Sequence, residues 1–267
     1  MIIIKTQQEI EIMREGGKIL ARILKMVAEK VEPGIGTKEL NTFAEQEIRK
    51  AGGWPAFKGY HKFPTTLCTC INSEIVHAPA LPDRKLKSGD ILSIDVGMRY
   101  PARPVRRSPD SEAYRDVGGK GLVTDTSITV PVGKISKEAK KLLSVTKKSL
   151  NLAIKKIKPG ISLGNISYTI QEFVEKNNFN VVRDLVGHGV GKKVHEEPQI
   201  PNYGLKNTGP ILQAGMTLAI EPMVTAGDFK VIVDKDKQTF KTKDGSLSAH
   251  FEHTVLVIER GSEILTK

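Results

Sequence analysis

The stretch V-G-H-G-V-G-K-K-V-H-E-E-P covers residues 186–198 and places two histidines, His188 and His195, seven residues apart. Glycines at 187, 189 and 191 surround the first histidine and argue against a helix, because glycine is a poor helix former. They also permit close backbone approach. The stretch predicts a loop between strands that brings both imidazoles to one place. Two unrelated loop histidines are the alternative, and the chain on either side decides between them.

Acidic residues recur inside apolar strands on both sides of this stretch. Strands are predicted where apolar and polar residues alternate, over residues 91–97, 122–130, 216–221 and 251–258. Each predicted strand carries one carboxylate that we single out, and the four are Asp95, Asp125, Glu221 and Glu252. An isolated buried charge is very costly, so each carboxylate must be hydrogen-bonded, paired or bound to metal.

The four carboxylates, if they lie together, require positive charge, and the predicted strands contain no Lys or Arg to supply it. One or two divalent cations would neutralise them. With His188 added, the donors are mostly oxygen with one imidazole, which suits Mn, Fe, Co or a catalytic Zn pair better than a structural thiolate zinc site. Two metals about 3.5–4 Å apart lower the pKa of a bridging water and give hydroxide at neutral pH. Four separately satisfied strand acids are the alternative.

The composition limits the class of protein. The chain has 267 residues, of which 39% are hydrophobic and 27% charged, enough for one large domain or two intimate halves. No apolar run approaches the ~20 residues that span a membrane, and the apolar N-terminal run is too short for a signal sequence. Cys68 and Cys70 are too close in sequence for a mutual disulfide. These features predict a cytoplasmic protein with reduced thiols.

The chain carries a net charge of +11. Such an excess favours acidic neighbours such as RNA. No RNA-binding motif accompanies it, so we interpret it as a solvated, lysine-rich surface.

Helix signals occur twice in the same order. Thr6 and Glu9 form a T-x-x-E capping box at the start of a long amphipathic helix. Residues 136–156 predict a second long helix, and a shorter helix follows each of the two. The shorter helix of the first copy is expected to begin at Thr37 and to end at Gly52.

A short phrase also repeats between those helices. V-E-P-G-I at 31–35 corresponds to I-K-P-G-I at 157–161, 126 residues later. Chance is the alternative for one such match, but the helices around it favour duplication. We therefore expect a single domain over 1–267 made of two similar halves, about 6–130 and 136–260. The halves would pack about a pseudo-twofold axis with a site at their junction.

The motifs together resemble the type I methionine aminopeptidases, the short bacterial form within the pita-bread metallopeptidases. The matching pieces are S-I-D-V-G at 93–97, D-T-S at 125–127, R-D-L-V-G-H-G-V-G at 183–191, H-E-E-P at 195–198, I-E-P-M at 220–223 and K-T-K-D-G-S-L-S-A-H-F-E-H-T at 241–254. The resemblance spans nearly the whole chain. It implies the α+β pita-bread fold, with a central antiparallel sheet and outer helices.

The resemblance also implies an activity and its cofactors. The activity is hydrolysis of the N-terminal methionine from peptides and nascent chains, favouring a small second residue. The cofactors are two divalent metal ions, Mn, Fe, Co or Zn. By motif, the metal ligands are Asp95, Asp125, His188, Glu221 and Glu252, and in the family the residues matching Asp125 and Glu252 bridge the metals.

Catalytic roles follow from the same resemblance. His195 is expected to donate to the scissile carbonyl as it becomes an oxyanion. His77 is expected to contact the scissile amide nitrogen. Glu221 is a candidate proton shuttle as well as a ligand, and the sequence does not separate those roles. The remaining histidines, His61, His250 and His253, receive no catalytic role.

The methionine pocket resembles the family less closely. The implied substrate-binding residues are Phe57, Tyr60, Phe63, Cys68, His77, Val194, His195 and Gln238. The first four match the family's upstream wall in position. Val194 stands where the family often has an aromatic residue, and Gln238 falls where many members carry tryptophan.

A second departure lies between Asp95 and Asp125, which the family usually joins by a short hairpin. Here they are 30 residues apart, and residues 99–119 are rich in charge and proline. We interpret this segment as an irregular insertion. Its spaced arginines favour a peripheral contact, such as a transient ribosome contact, over catalysis, and a neutral surface loop is the alternative. The chain is expected to be a monomer.

Two other functions fit part of the pattern. Proline-specific or creatinase-like hydrolases share the fold but usually carry a separate N-terminal domain, for which we expect no room before Thr6. Their last ligand motif also differs from F-E-H-T at 251–254. A non-enzymatic binding protein on this fold usually lacks metal ligands, whereas all five residues are present here.

We predict that Val194 and Gln238 weaken discrimination between methionine and norleucine or leucine, relative to family members with aromatic residues there. One or two methylenes in an apolar pocket are worth only ~1–3 kcal/mol, so the difference should be modest. Specificity constants measured side by side check this prediction, and sharper discrimination by this chain would contradict it.

Overall fold

The structure is a computed structural model that describes residues 1–102 and 121–267. The helices are α1 (Gln7–Glu29), α2 (Thr37–Lys50), α3 (Lys137–Lys156) and α4 (Gly164–Lys176), with one 3-10 turn at Tyr60–Lys62. The strands up to α3 are β1 (Trp54–Pro55), β2 (Leu67–Ile71), β3 (Glu74–Val76), β4 (Ile91–Tyr100) and β5 (Leu122–Pro131). The later strands are β6 (Asn180–Val181), β7 (Val186–Gly189), β8 (Glu196–Pro201), β9 (Thr217–Ile220), β10 (Met223–Thr225), β11 (Val231–Val233), β12 (Phe240–Thr242), β13 (Ser248–His250), β14 (Glu252–Ile258) and β15 (Gly261–Ile264).

The first helix begins as the sequence predicts. The Thr6 hydroxyl accepts from the backbone N–H of Glu9, and the Glu9 carboxylate accepts from the backbone N–H of Thr6 at 2.9 Å, which completes the capping box. The predicted apolar stripe of α1 is buried and includes Ile10, Met13 and Leu20. The second helix also begins at its predicted residue, Thr37, and it ends at Lys50, ahead of Gly52.

The main sheet is antiparallel throughout the described residues. Its strands follow the order β1-β4-β5-β14-β9-β7-β8, with β2 beside β4 and β15 beside β14. The central strand β14 pairs on one side with β5 and on the other with β9. His253 of β14, for example, faces Thr126 on β5 and Ile220 on β9. One strand from late in the chain therefore joins the earlier strands to the later ones.

Each half of the chain has its own hydrophobic core. The first core packs α1 and α2 against β4, through residues such as Leu20, Leu40 and Leu92. The second packs α3 and α4 against β14, through residues such as Leu142, Ile170 and Val255. The repeated helix phrase thus corresponds to two helix pairs with buried faces, whereas the pseudo-twofold relation and the domain bounds stay a prediction. Within the described residues, no helix is both long and apolar enough to cross a membrane.

The predicted loop around the first histidine is wrong in part. Val186–Gly189 form strand β7, so His188 lies within a strand that pairs with β8 and β9. The glycines do not break this strand because they allow close packing. A Cβ at Gly187 would lie 2.5 Å from the carbonyl oxygen of Ala219. Only the turn between β7 and β8, which includes His195, is the irregular connection that the sequence suggested.

The predicted insertion also begins later than residue 99. Strand β4 continues to Tyr100, and Arg99 and Tyr100 pair with Val123 and Leu122 of β5. The buried Arg99 guanidinium donates to the carbonyl oxygens of Gly121, at 2.6 Å, and Lys192, at 3.1 Å. Residues 103–119, with the arginines on which the peripheral contact was predicted, lie outside the described residues.

Candidate active site

All the predicted site residues line one cavity of about 790 Å³. They are Phe57, Tyr60, Phe63, Cys68, His77, Asp95, Asp125, His188, Val194, His195, Glu221, Gln238 and Glu252. Residues more than 190 positions apart in sequence therefore converge on one site, and the alternative of scattered strand acids and unrelated histidines is wrong.

The antiparallel register explains how the carboxylates meet. Asp95 on β4 and Glu252 on β14 both have Ser127 of β5 as their Cα partner. Asp125 lies two residues earlier on β5, on the same face as Ser127. Three carboxylates thus project from adjacent strands into the cavity.

Glu221 and His188 come from the other side of β14. Glu221 follows β9 directly, and His188 pairs with Ala219 of the same strand. Donor atoms of Asp125, His188 and Glu252 all lie within 4.8 Å of one another. The Nε2 atom of His188 lies 3.4 Å from Oε1 of Glu221. The five side chains therefore form one cluster, and all five are buried.

The local contacts of His188 fix the orientation and the tautomer of its ring. Its Nδ1 atom lies 2.8 Å from the carbonyl oxygen of Gly189. A carbonyl can only accept, so Nδ1 carries the proton and Nε2 directs a lone pair at the carboxylates. Burial lowers the pKa of His188 to about 3, so the imidazole is neutral. A lone pair that faces carboxylate oxygens calls for a cation between them.

Burial shifts the four acids in the opposite direction. It raises the pKa of Asp125 to about 7. It raises the pKa values of Asp95, Glu221 and Glu252 well above their usual range, and the charges of neighbouring carboxylates add to the effect. Without a cation, the cluster cannot hold all of its negative charges at neutral pH.

The unpaired buried atoms fit a metal centre. Among the described residues, Oδ1 of Asp95, Oδ1 of Asp125, Oε1 of Glu252 and the hydroxyl of Ser127 are buried without a hydrogen-bond partner. Buried polar atoms are nearly always satisfied, so these atoms require an explanation. Divalent cations coordinated by carboxylate oxygen and imidazole nitrogen provide one. The donor set therefore fits divalent metal.

Two further histidines lie beside this cluster. The His195 ring meets the His188 ring edge-on with centroids 4.5 Å apart, and its Nδ1 atom lies 3.1 Å from the Tyr60 hydroxyl. His77 adopts a positive φ of 60° and packs against Phe240 with ring centroids 5.7 Å apart. Burial lowers the pKa values of both, that of His77 to about 4. Both are therefore neutral at physiological pH and able to donate one hydrogen bond.

The cavity wall beside the metal-binding cluster is largely apolar. Phe57, Tyr60 and Phe63 contribute rings that belong to one hydrophobic cluster, and the 3-10 turn Tyr60–Lys62 lies between Phe57 and Phe63. Cys68 is a free, buried thiol whose pKa is raised by burial and by the nearby Asp95, so it is neutral. Val194 is buried in the same wall, and Oε1 of Gln238 is buried without a hydrogen-bond partner.

One further histidine, to which the sequence assigned no role, also contacts this cluster. His250 is buried, and its Nε2 atom lies 3.5 Å from Oε2 of Glu221. It stands two residues before Glu252, so strand alternation could have placed both on one face. Nδ1 of His253 lies 3.0 Å from the Thr266 hydroxyl, and His61 is an exposed residue that lines the cavity. The absence of a catalytic role for either histidine stays a prediction.

Comparisons with known proteins agree with this arrangement. Residues 11–103 and 115–259 match metallopeptidase family M24. The chain is 46% identical to methionine aminopeptidase 1 of Bacillus subtilis (strain 168), with 100% of each chain covered. It is 41% identical to the methionine aminopeptidase of Escherichia coli (strain K12), with 99% of this chain and 94% of the relative covered.

Solved structures give the same result. The crystal structure of a methionine aminopeptidase from Thermotoga maritima matches with a TM-score of 0.91 and 46% identity, and 100% of each chain is covered. The prolidase from Pyrococcus horikoshii OT3 matches with a TM-score of 0.73 and 22% identity, over 99% of this chain and 63% of that one. This second likeness shows the shared fold alone.

The chain therefore belongs to metallopeptidase family M24, hydrolases built on the α+β pita-bread fold. Within that family it groups with the bacterial methionine aminopeptidases, to which it is similar over its whole length. The predicted family and fold are confirmed. The roles of the individual residues stay predictions.

We predict that added Mn²⁺ stabilises the protein more strongly as the pH rises from about 5 to about 8. In the cation-free protein Asp125 has a pKa of about 7, whereas an unfolded Asp has a pKa near 4. Between these two pKa values the folded state therefore binds more protons than the unfolded state, and its stability falls as the pH rises. The folded protein must also release these protons to bind the cation, so binding is favoured at higher pH. Thermal unfolding with and without Mn²⁺ at several pH values measures the effect.

The exposed Asp184 at the cavity rim provides a matched control. Asp125→Asn should remove most of the stabilisation by Mn²⁺, whereas Asp184→Asn should preserve it. A stabilisation that stays constant between pH 5 and pH 8 would contradict the prediction.

Proposed function

We propose that this chain hydrolyses the N-terminal methionine of peptides and nascent chains and favours a small second residue. One observation carries the proposal: four buried carboxylates and a neutral imidazole line the same cavity as a group of apolar side chains. The small second residue rests on the similarity to methionine aminopeptidases.

The metal centre would be held by Asp95, Asp125, His188, Glu221 and Glu252. We propose that these residues would hold two divalent ions, Mn, Fe, Co or Zn. When bound, such a pair supplies hydroxide at neutral pH by lowering the pKa of water and polarises the scissile carbonyl. The orphaned carboxylate oxygens and the lone pair of His188 support this assignment.

The two neutral histidines have separate proposed tasks. His195 donates a hydrogen bond to the carbonyl oxygen as it gains negative charge, and its packing against His188 keeps it beside the metal ligands. The Tyr60 hydroxyl helps to hold its ring. His77 contacts the scissile amide nitrogen. Its ring also lines the cavity and packs against Phe240.

Glu221 has two proposed tasks, as ligand and as proton shuttle. Its carboxylate lies between two imidazole nitrogens, 3.4 Å from Nε2 of His188 and 3.5 Å from Nε2 of His250. Burial raises its pKa, which suits a group that accepts a proton from water and passes it to the leaving amine.

The apolar wall would hold the methionine side chain. Phe57, Tyr60 and Phe63 provide the aromatic surface, and the neutral thiol of Cys68 and the side chain of Val194 complete it. Gln238 makes one part of the lining polar.

We further propose that the chain acts as a cytoplasmic monomer and makes a transient ribosome contact near the nascent N-terminus.

The first test of the function is metal-dependent cleavage. We expect hydrolysis of Met-Gly-Met after addition of Mn, Fe or Co, loss of activity with a chelator, and no comparable hydrolysis of an Ala-Pro peptide. Proline-specific cleavage would support the rival pita-bread hydrolase, and binding without turnover would support a non-enzymatic role. Full activity in a demonstrably metal-free preparation would refute the proposal.

The second test concerns single residues. His195→Ala should lower kcat by about 10²–10³-fold, the usual cost of one oxyanion donor. Glu221→Gln should abolish turnover because it removes a ligand charge and a proton acceptor. His61→Ala, also at the cavity but outside the metal-binding cluster, should leave kcat nearly unchanged. An unchanged kcat in His195→Ala would rule out its proposed role.

A further inference from the structure

A buried ion pair lies next to the turn between β7 and β8, which carries His195. The ammonium of Lys5, in the segment before α1, lies 2.6 Å from Oε2 of Glu196, and the two side chains are 1% and 2% exposed. Lysine and glutamate are rarely so buried unless they are paired. Since Glu196 immediately follows His195, this pair joins the segment before α1 to the turn between β7 and β8.

The same carboxylate also holds the turn from within. Oε1 of Glu196 accepts a hydrogen bond from the backbone N–H of Lys193 at 3.0 Å. The backbone N–H of Gly191 donates to the carbonyl oxygen of Lys193 at 3.1 Å. Both oxygens of Glu196 are thus in use, one toward the turn and the other toward Lys5. The backbone on both sides of His195 is therefore tied to one buried carboxylate.

Gly191, within the stretch 186–198, leaves space for the side chain of Lys5. Gly191 adopts a φ of +144°, and a Cβ there would collide with Cε of Lys5 and lie 3.3 Å from Sδ of Met13. The lysine itself is held by its backbone N–H, which donates to the carbonyl oxygen of Gly215 at 2.8 Å. The position of Lys5 is therefore defined by contacts with both its main chain and its side chain.

The His195 ring has its own contacts, so its position depends on both ring and backbone. Tyr60 and His188 hold the ring from the cavity side. The Lys5–Glu196 pair fixes the backbone next to His195. If the pair is broken, a buried charge is left without a partner, which is strongly unfavourable. The turn would then rearrange to hydrate that charge.

We propose that Lys5 is a positioning residue for the reaction, acting through Glu196 to place the imidazole of His195 against the substrate carbonyl. The inference rests on the proposed role of His195. A displacement of ~1 Å at a reacting group can cost ~10²-fold in rate. If the ion pair only stabilised the fold, breaking it would lower the free energy of unfolding and leave kcat unchanged.

The experiment is a double-mutant cycle in the metal-loaded full chain with Met-Gly-Met as substrate. Lys5→Met should lower kcat by about 10- to 100-fold and change KM by less than about threefold, with Mn²⁺ binding preserved. In the His195→Ala background the same substitution should have less than a twofold further effect, because its target is gone. Equal losses in the two backgrounds, or an unchanged kcat in Lys5→Met, would overturn the proposal.

Two further variants keep the test decisive. Arg14→Met is the control, because it breaks another ion pair of the N-terminal region, between Arg14 and Glu263 at 2.7 Å. This pair does not involve the turn between β7 and β8, so the substitution should leave kcat unchanged. Glu196→Gln keeps an oxygen for the Lys193 hydrogen bond and removes only the charge, so it replaces Lys5→Met if that variant does not fold. It should lower kcat in the wild-type background and have no effect in the His195→Ala background.

If wild type fails to cleave Met-Gly-Met, the proposed function fails, and the positioning role, which rests on it, falls with it. If wild type cleaves and Lys5→Met costs the same in both backgrounds, the positioning role alone fails. If wild type cleaves and His195→Ala is as active as wild type, the role of His195 fails, and the positioning role falls with it. Only a coupled loss at both positions supports the inference.

Discussion

The mutual repulsion of four buried carboxylates is the constraint on which the rest of this structure depends. Asp95, Asp125, Glu221 and Glu252 lie within one buried cluster, and burial raises the pKa of each. Such a cluster opposes folding unless protons or cations neutralise it. Ligand binding to the folded state offsets that cost by mass action. The folded state and the metal-loaded state are therefore coupled, and the surrounding sheet provides the rigid support on which the cluster is held.

The same burial has opposite effects on acids and on histidines, and both effects favour one chemistry. It leaves His188 neutral with a lone pair toward the carboxylates, and it leaves His77 and His195 neutral, each with one N–H to donate. A protonated His188 could not bind a cation. Burial in one cavity thus favours the neutral form of these three histidines and of the four acids alike.

Much of this site could be predicted from local patterns in the sequence. Strand alternation identified all four carboxylates, and the capping box at Thr6 located the first helix because both depend on neighbours a few residues away. The strand containing His188 was missed because the effect of Gly187 depends on Ala219 across the sheet. The contact between Lys5 and Glu196 was missed for the same reason, since the two residues lie 191 positions apart in sequence. His250 was missed although its two-residue spacing from Glu252 is a local signal.

The central position of β14 has a consequence for the order of events during synthesis. Glu252 enters the sheet at the start of this strand, between β5 and β9, and it is the last of the proposed metal ligands in the sequence. Until residue 252 has been made and inserted, the earlier and later strands lack their common neighbour and the cluster lacks one carboxylate. A growing chain can form the helix pair α1 and α2 with their core much earlier. Under the proposed ligand set, full metal loading therefore requires that synthesis has passed residue 252 and that β14 has joined the sheet.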